Sequence, residues 1–187
     1  MLAFRRHDHA YFWDGSRVPS VTEVIRRGGS YGGLQFVNQA ILDVTSDVGH
    51  LIHERIHDHH TDDSPLATGD SLLDGYLTAY ETALAMLPMQ VFHTEVPVGN
   101  GLVAGTLDLF CKYGGEWAVG DIKTTSRINV EAVELQTAAY AWLAEPFFGV
   151  RPTHRFVIQL RSDGTYEYKP LRDETALIRF IQLLEKQ

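Results

Sequence analysis

The spacing of apolar residues along the chain changes period near residue 89. Before that point they recur at helical intervals. Val18-Pro19-Ser20-Val21-Thr22-Glu23 reads as a helix start. Ser20 and Glu23 have the spacing of a capping box, which satisfies orphan backbone donors reciprocally, and Gly28-Gly29 ends the helix. A second helical pattern covers 34–43. Ser46 or Asp47 can cap a third helix, with Val48, Leu51, Ile52 and Ile56 as its apolar stripe. The polar run from His57 to Pro65 breaks it, and a fourth helix is expected over 69–87. Residues 1–88 therefore read as mainly helical.

Beyond residue 89 the pattern becomes extended. Residues 90–98 form a strand, Asn100-Gly101 is a hairpin turn and 102–112 returns. Gly114-Gly115 offers a second tight turn, and Glu116 to Lys123 forms a third strand. Asn129 caps a helix over 130–144. Residues 154–161 and 165–170 form a final hairpin around Ser162-Asp163-Gly164-Thr165. Asp173 caps a last helix with Leu177, Phe180, Ile181 and Leu184 on its apolar side. The expected class is α+β, one domain over 1–187: an antiparallel meander with helices packed on it.

The two turns fix a register. A two-residue loop at Asn100-Gly101 pairs Val98 with Val103 and sets Glu95 opposite Thr106. A two-residue loop at Gly114-Gly115 sets Asp108 opposite Asp121 and Thr106 opposite Lys123. Because side chains alternate faces, Glu95, Asp108, Asp121 and Lys123 then share one side of the sheet. Opposed Cβ atoms stand about 5 Å apart and diagonal ones about 7–8 Å. Opposed like charges destabilise a sheet, and a divalent cation, which prefers carboxylate oxygens, supplies the missing positive charge. Lys123 can stabilise charge on a phosphoryl oxygen or position an attacking water; an ordinary ion pair with its acidic neighbours is the structural alternative.

Composition narrows the setting. Hydrophobic residues make up 44% and charged residues 21% of 187 positions, ordinary for a globular chain. No apolar run approaches the ~20 residues of a membrane span. The segment MLAFRRHDHAYFW lacks the apolar stretch of a signal peptide, so the cytoplasm is the expected compartment. Cys111 is the single cysteine, which excludes an intrachain disulfide and thiolate-rich zinc or iron–sulfur sites. The net charge of −8 argues against a protein that coats nucleic acid electrostatically, but not against an enzyme whose carboxylates hold metal ions.

At these residues the chain resembles the RecB-like exonuclease branch of the PD-(D/E)XK nuclease superfamily, including phage and mitochondrial exonucleases. The matching segments are Gly105-Thr106-Leu107-Asp108-Leu109, Gly120-Asp121-Ile122-Lys123-Thr124-Thr125 and Gln136-Thr137-Ala138-Ala139-Tyr140. Gly49-His50-Leu51-Ile52-His53-Glu54 and Pro19-Ser20-Val21-Thr22 match upstream, so the matched pieces span residues 18–140. A lone D-x-K carries little information; its order between G-x-x-D and Q-x-x-x-Y, behind G-x-x-x-H, is what gives specificity. The resemblance implies a restriction-endonuclease-like α/β/α core and a Mg²⁺- or Mn²⁺-dependent nuclease leaving 5′-phosphates. It implies His53, Asp108, Asp121 and the Ile122 carbonyl as metal ligands, Lys123 as the catalytic lysine and Glu95 as a further acid. Four cluster-binding cysteines and any helicase motif are missing, so the resemblance is to a nuclease working alone or with a helicase or recombination partner.

Other residues carry two readings each. Gln136 and Tyr140, four apart on one helical face, either orient the site or a strand, or pack and solvate the helix. His53 lies off the apolar stripe, one turn after Gly49, whose smallness lets the helix approach the sheet. The crowded His57, His59, His60, Asp58, Asp62 and Asp63 read as a solvated helix end or loop rather than a second metal site. Arg127 heads the candidate phosphate contacts, ahead of Arg26, Arg27, Arg151, Arg155 and Arg161. Tyr11, Phe12, Trp13 and Tyr31 can stack single-stranded bases or pack a core. His50, His93 and His154 have no partner that the sequence identifies.

The sequence thus leads to a metal-dependent deoxyribonuclease, an exonuclease on DNA ends or single strands in repair, recombination or a phage, with no membrane. A structure-specific or restriction-type endonuclease, a non-catalytic nucleic-acid-binding module and an unrelated metal-binding domain are the alternatives.

Overall fold

The computed structural model describes residues 1–29 and 39–187. The chain begins with three short strands, β1 (Leu2–Arg5), β2 (Ala10–Trp13) and β3 (Ser16–Val18), in an antiparallel sheet of their own. The helical expectation fails here. Asp14-Gly15 carries positive φ at both positions, 47° and 84°, the signature of a tight hairpin between aromatic and β-branched strands. Val21–Arg27 (α1) follows, with the Ser20–Glu23 capping box formed in both directions.

Residues 30–38, which include Tyr31 and most of the expected 34–43 helix, lie outside the described residues. Gln39–Asp62 (α2) then runs unbroken for 24 residues. Neither Ser46 nor Asp47 starts a helix, and the run from His57 stays helical as far as Asp62, where its side chains find partners, before breaking at Asp63. His57 Nδ1 meets Thr94 Oγ1 and His60 Nε2 meets Tyr80 Oη, both at 2.8 Å. Of the apolar stripe, Ile52 and Ile56 are buried, whereas Leu51 is exposed. Ser71–Met86 (α3) is capped by Asp70.

The main sheet has five strands in the order β4 (Met89–Gly99), β5 (Ala104–Tyr113), β6 (Glu116–Lys123), β7 (His154–Leu160), β8 (Tyr166–Leu171). It is mixed rather than an antiparallel meander throughout. Val130–Phe148 (α4) carries the chain back across the sheet, and β7 pairs parallel to β6, as strands joined by a helical crossover do. Ala176–Leu184 (α5) closes the chain. Its N-cap is Thr175; Asp173 instead accepts hydrogen bonds from the Thr175 N–H and hydroxyl.

Helices cover both faces of the sheet. On one, α1, α4 and α5 pack Val24, Leu135 and Phe180 against Val98, Phe110 and Val119. On the other, α2 and α3 pack Ile52, Ile56 and Leu77 against Leu109, Ile122 and Ile158. Each fully buried side chain of this kind contributes about 2 kcal/mol, so the two layers hold the sheet from both sides. Helix α4 is further tied by buried Glu134, which accepts from the Arg172 N–H at 2.9 Å and pairs with Arg155 at 3.1 Å. Among the described residues no helix is long and apolar enough to cross a membrane.

Candidate metal centre

The β5–β6 hairpin turns on Gly114 and Gly115, both at positive φ, and pairs in register from Tyr113–Glu116 to Leu109–Gly120. The two-residue loop and its register are as expected over these pairs, and the ladder ends one step before Asp108 and Asp121. The Ile122 N–H donates to Asp108 Oδ2 at 2.8 Å and fixes that carboxylate at the end of the ladder.

The β4–β5 hairpin departs from its expected register. The connection is the four-residue loop Asn100–Val103, in which Asn100 Oδ1 accepts from the Leu102 and Val103 N–H groups. Val98 therefore pairs with Gly105 rather than Val103, and Pro97 with Thr106. This two-residue slip takes Glu95 away from Thr106. It lies between the pairs Thr94–Leu109 and Val96–Leu107, level with Asp108.

Glu95 itself has φ of 51°, a left-handed conformation that costs about 1–2 kcal/mol for an L-residue. The pleat is broken there. Consecutive side chains Thr94 and Glu95 both reach α2, bonding His57 and His53, while Val96 and Val98 face the α4 layer. β5 changes in step, since Leu107 packs with the α4 layer and Leu109 with the α2–α3 layer. The acids converge through interruptions in two strands, not along one flat face.

His53 completes the group. Its Nδ1 is 2.8 Å from Glu95 Oε1 and 3.9 Å from Asp108 Oδ1, and its Nε2 is 3.2 Å from the Ile122 carbonyl. One ligand atom each from His53, Glu95 and Asp108 lie within 4.8 Å of one another, a separation that a single cation with bonds of about 2.0–2.6 Å can span. Glu95 is thus an integral member. Helix α2 comes close to the sheet through Gly49, where a Cβ would stand 3.3 Å from Thr124 Oγ1.

The protonation pattern follows from this packing. Burial disfavours charge on His53, but Asp108 and the Glu95 hydrogen bond outweigh it and raise its pKa to about 9. Both ring nitrogens face oxygen acceptors, the arrangement an imidazolium satisfies. Burial raises the Asp108 carboxyl, and it pushes Asp121 up to about 6 against the opposing pull of Lys123. Asp121 is 1% exposed; its Oδ1 accepts from Lys123 Nζ at 2.8 Å, and its Oδ2 has no hydrogen-bond partner among the described residues. Asp121 and Lys123 form a pair beside the three-residue group rather than part of it.

Gln136 and Tyr140 are both buried on α4. Tyr140 lies against Gly105, where a Cβ would stand 2.6 Å from its ring. That contact gives the glycine of the G-x-x-D segment a physical role, because only a hydrogen leaves room for the tyrosine. Arg127 is exposed on the loop after β6. Arg155 is not a phosphate contact: it is spent on Glu134, Thr137 and the Asp173 carbonyl. Arg161 pairs with Glu167 at the surface.

Thr106 was expected only as a register position, and Tyr11 only as a base-stacking or core residue, not as partners of each other beside the acids. The Tyr11 hydroxyl is 2.8 Å from Thr106 Oγ1, and burial pushes its pKa up to about 12. The Asp14-Gly15 turn was the available signal, since it folds the Tyr11 strand into a sheet. A cleft of about 750 Å³ opens beside His53, Glu95 and Thr106, bounded by α2 and by the first sheet. No family model matches this chain, and no curated protein matches it significantly.

Proposed function

We propose that the chain is a divalent-metal-dependent nuclease hydrolysing DNA phosphodiester bonds. The observation that carries the reading is Asp121. It is a buried carboxylate that feels the charge of a second buried acid, Asp108, and one of its oxygens lacks a hydrogen-bond partner among the described residues. Such a group is costly in a fold unless something compensates it. His53, Glu95, Asp108, Asp121 and the Ile122 carbonyl would hold a Mg²⁺ or Mn²⁺ ion, all being oxygen or imidazole donors.

A cation bound there supplies Lewis acidity toward a phosphoryl oxygen and toward water. The chain's own residues do the rest. Lys123, held by Asp121, presents an ammonium to the charge that develops on the scissile phosphate. Glu95 orients the His53 ring and the Ile122 N–H fixes Asp108; to ligate a cation, His53 would release its proton and one of its two hydrogen bonds. Buried Tyr140 and Gln136 hold the wall behind them.

The test is digestion of end-labelled linear and circular single-stranded DNA with Mg²⁺, Mn²⁺ or EDTA. Metal-dependent cleavage of the linear strand is expected, with the circle left intact by an exonuclease and cut by an endonuclease. No cleavage of either under any metal sinks the proposal. The paired His53 favours one second reading: a buried polar network closed by an imidazolium, with no metal role. That reading predicts no change in melting temperature on adding Mn²⁺.

A further inference from the structure

The cleft beside the metal centre has a wall of rings. Phe4, His9 and His50 line it, and Tyr11, buried behind them, bonds Thr106 and stacks on Phe4 with ring centroids 4.8 Å apart. Phe4 meets His9 edge-on at 5.7 Å, and His9 meets His50 of α2 at 5.1 Å. The series runs from the acids to the cleft mouth, where His9 and His50 are exposed. His9 is held at φ of 47°, a strained backbone of the kind that clusters at ligand sites.

The charge of the cleft points the same way. Among the described residues its lining contains no lysine or arginine, while Glu54, Asp58 and Asp62 line it. A run of phosphates needs cationic partners and would be repelled there. Bases are uncharged, stack on rings, and hydrogen-bond to imidazole and carboxylate edges. The cations lie elsewhere: Lys123 pairs with Asp121 at the end of β6, and Arg127 is exposed just beyond that strand.

We propose that this ring-walled cleft binds an unpaired nucleobase next to the scissile phosphate, so that the substrate is a single strand or a frayed end. The inference rests on the nuclease reading for its account of the neighbouring phosphate. A paired base keeps its faces in the duplex stack and cannot enter.

The experiment measures binding and cleavage separately. A labelled single-stranded oligonucleotide and one carrying abasic residues are titrated with the protein in Ca²⁺, and anisotropy is recorded. The intact strand should bind roughly tenfold more tightly, the scale of one stacked base. In His50→Ala, and in Phe4→Ala, the two affinities should converge. Equal affinities in the unsubstituted protein, or a preserved tenfold preference in both variants, overturn the assignment. Cleavage of the same strands is then followed in Mn²⁺. Base-dependent binding without cleavage keeps the base site and defeats the nuclease reading; cleavage without base dependence does the reverse.

Discussion

The two hairpins that share β5 reach the centre by different means. β5–β6 pairs without a break from its Gly114-Gly115 turn to Leu109–Gly120, and just past that ladder the Ile122 N–H holds the Asp108 carboxylate. β4–β5 has a four-residue loop, a register shift between Val91 and His93, and a left-handed Glu95. Regular pairing brings the strand ends that carry Asp108 and Asp121 together. Irregular pairing aims one more acid out of the pleat, toward a helix that brings the histidine. Bulges are used in this way beside functional sites, where they redirect a side chain at a local cost.

Substitutions at the end of the regular hairpin should have the largest effect. Asp121→Ala or Lys123→Ala is expected to lower cleavage by about 10³-fold or more, the scale of losing a group that acts on transition-state charge. Circular dichroism should report an intact fold, and unchanged cleavage in both variants would remove the D-x-K strand from the mechanism. Glu95→Gln, on the irregular hairpin, keeps the side-chain length and removes the charge. A loss of about 10–100-fold is expected, as for partners that orient a ligand; a loss as large as that of Asp121→Ala would make Glu95 a principal group.

Gly115→Ala tests the regular turn itself. Nothing crowds the position, but its φ of 94° strains an L-residue, so unfolding by denaturant should show a loss of about 1–2 kcal/mol. An unchanged midpoint would mean the register does not depend on that turn.

A separate test is the pH dependence of stability without metal. Asp121 at about 6 and His53 at about 9 each hold a proton in the native state that the unfolded chain has already shed. Stability therefore falls with rising pH, from about 4 to 6 through Asp121 and from about 6.5 to 9 through His53. Added Mn²⁺ should raise the melting temperature more at pH 8 than at pH 5. A metal-free melting temperature that rises across this range would contradict the protonation pattern.

Much of this architecture was legible because its signals are local. Ser20–Glu23, Asn129 and Gly114-Gly115 act within a few residues, and each element they start or turn is present. The first sheet was missed although Asp14-Gly15 is a local signal, because its strands are only three and four residues long. The parallel β6–β7 pairing was encoded in the helix between them, yet a meander ignores it. The Glu95 conformation left no mark, since nothing in a glutamate announces positive φ. It goes with the packing of α2 against β4, which also anchors His57, while α3 anchors His60 through Tyr80. Arg155 could not be separated from phosphate-binding arginines without seeing buried Glu134 beneath it.

Calorimetric titration with Mn²⁺ tests the central claim most directly, comparing the unsubstituted protein with Asp108→Asn. The amide oxygen of asparagine can still accept from the Ile122 N–H, so the ladder end is preserved while the charge is lost. The account predicts saturable Mn²⁺ binding to the protein and loss of that binding in the variant. Absence of binding to the unsubstituted protein, or equal binding to both, would contradict it.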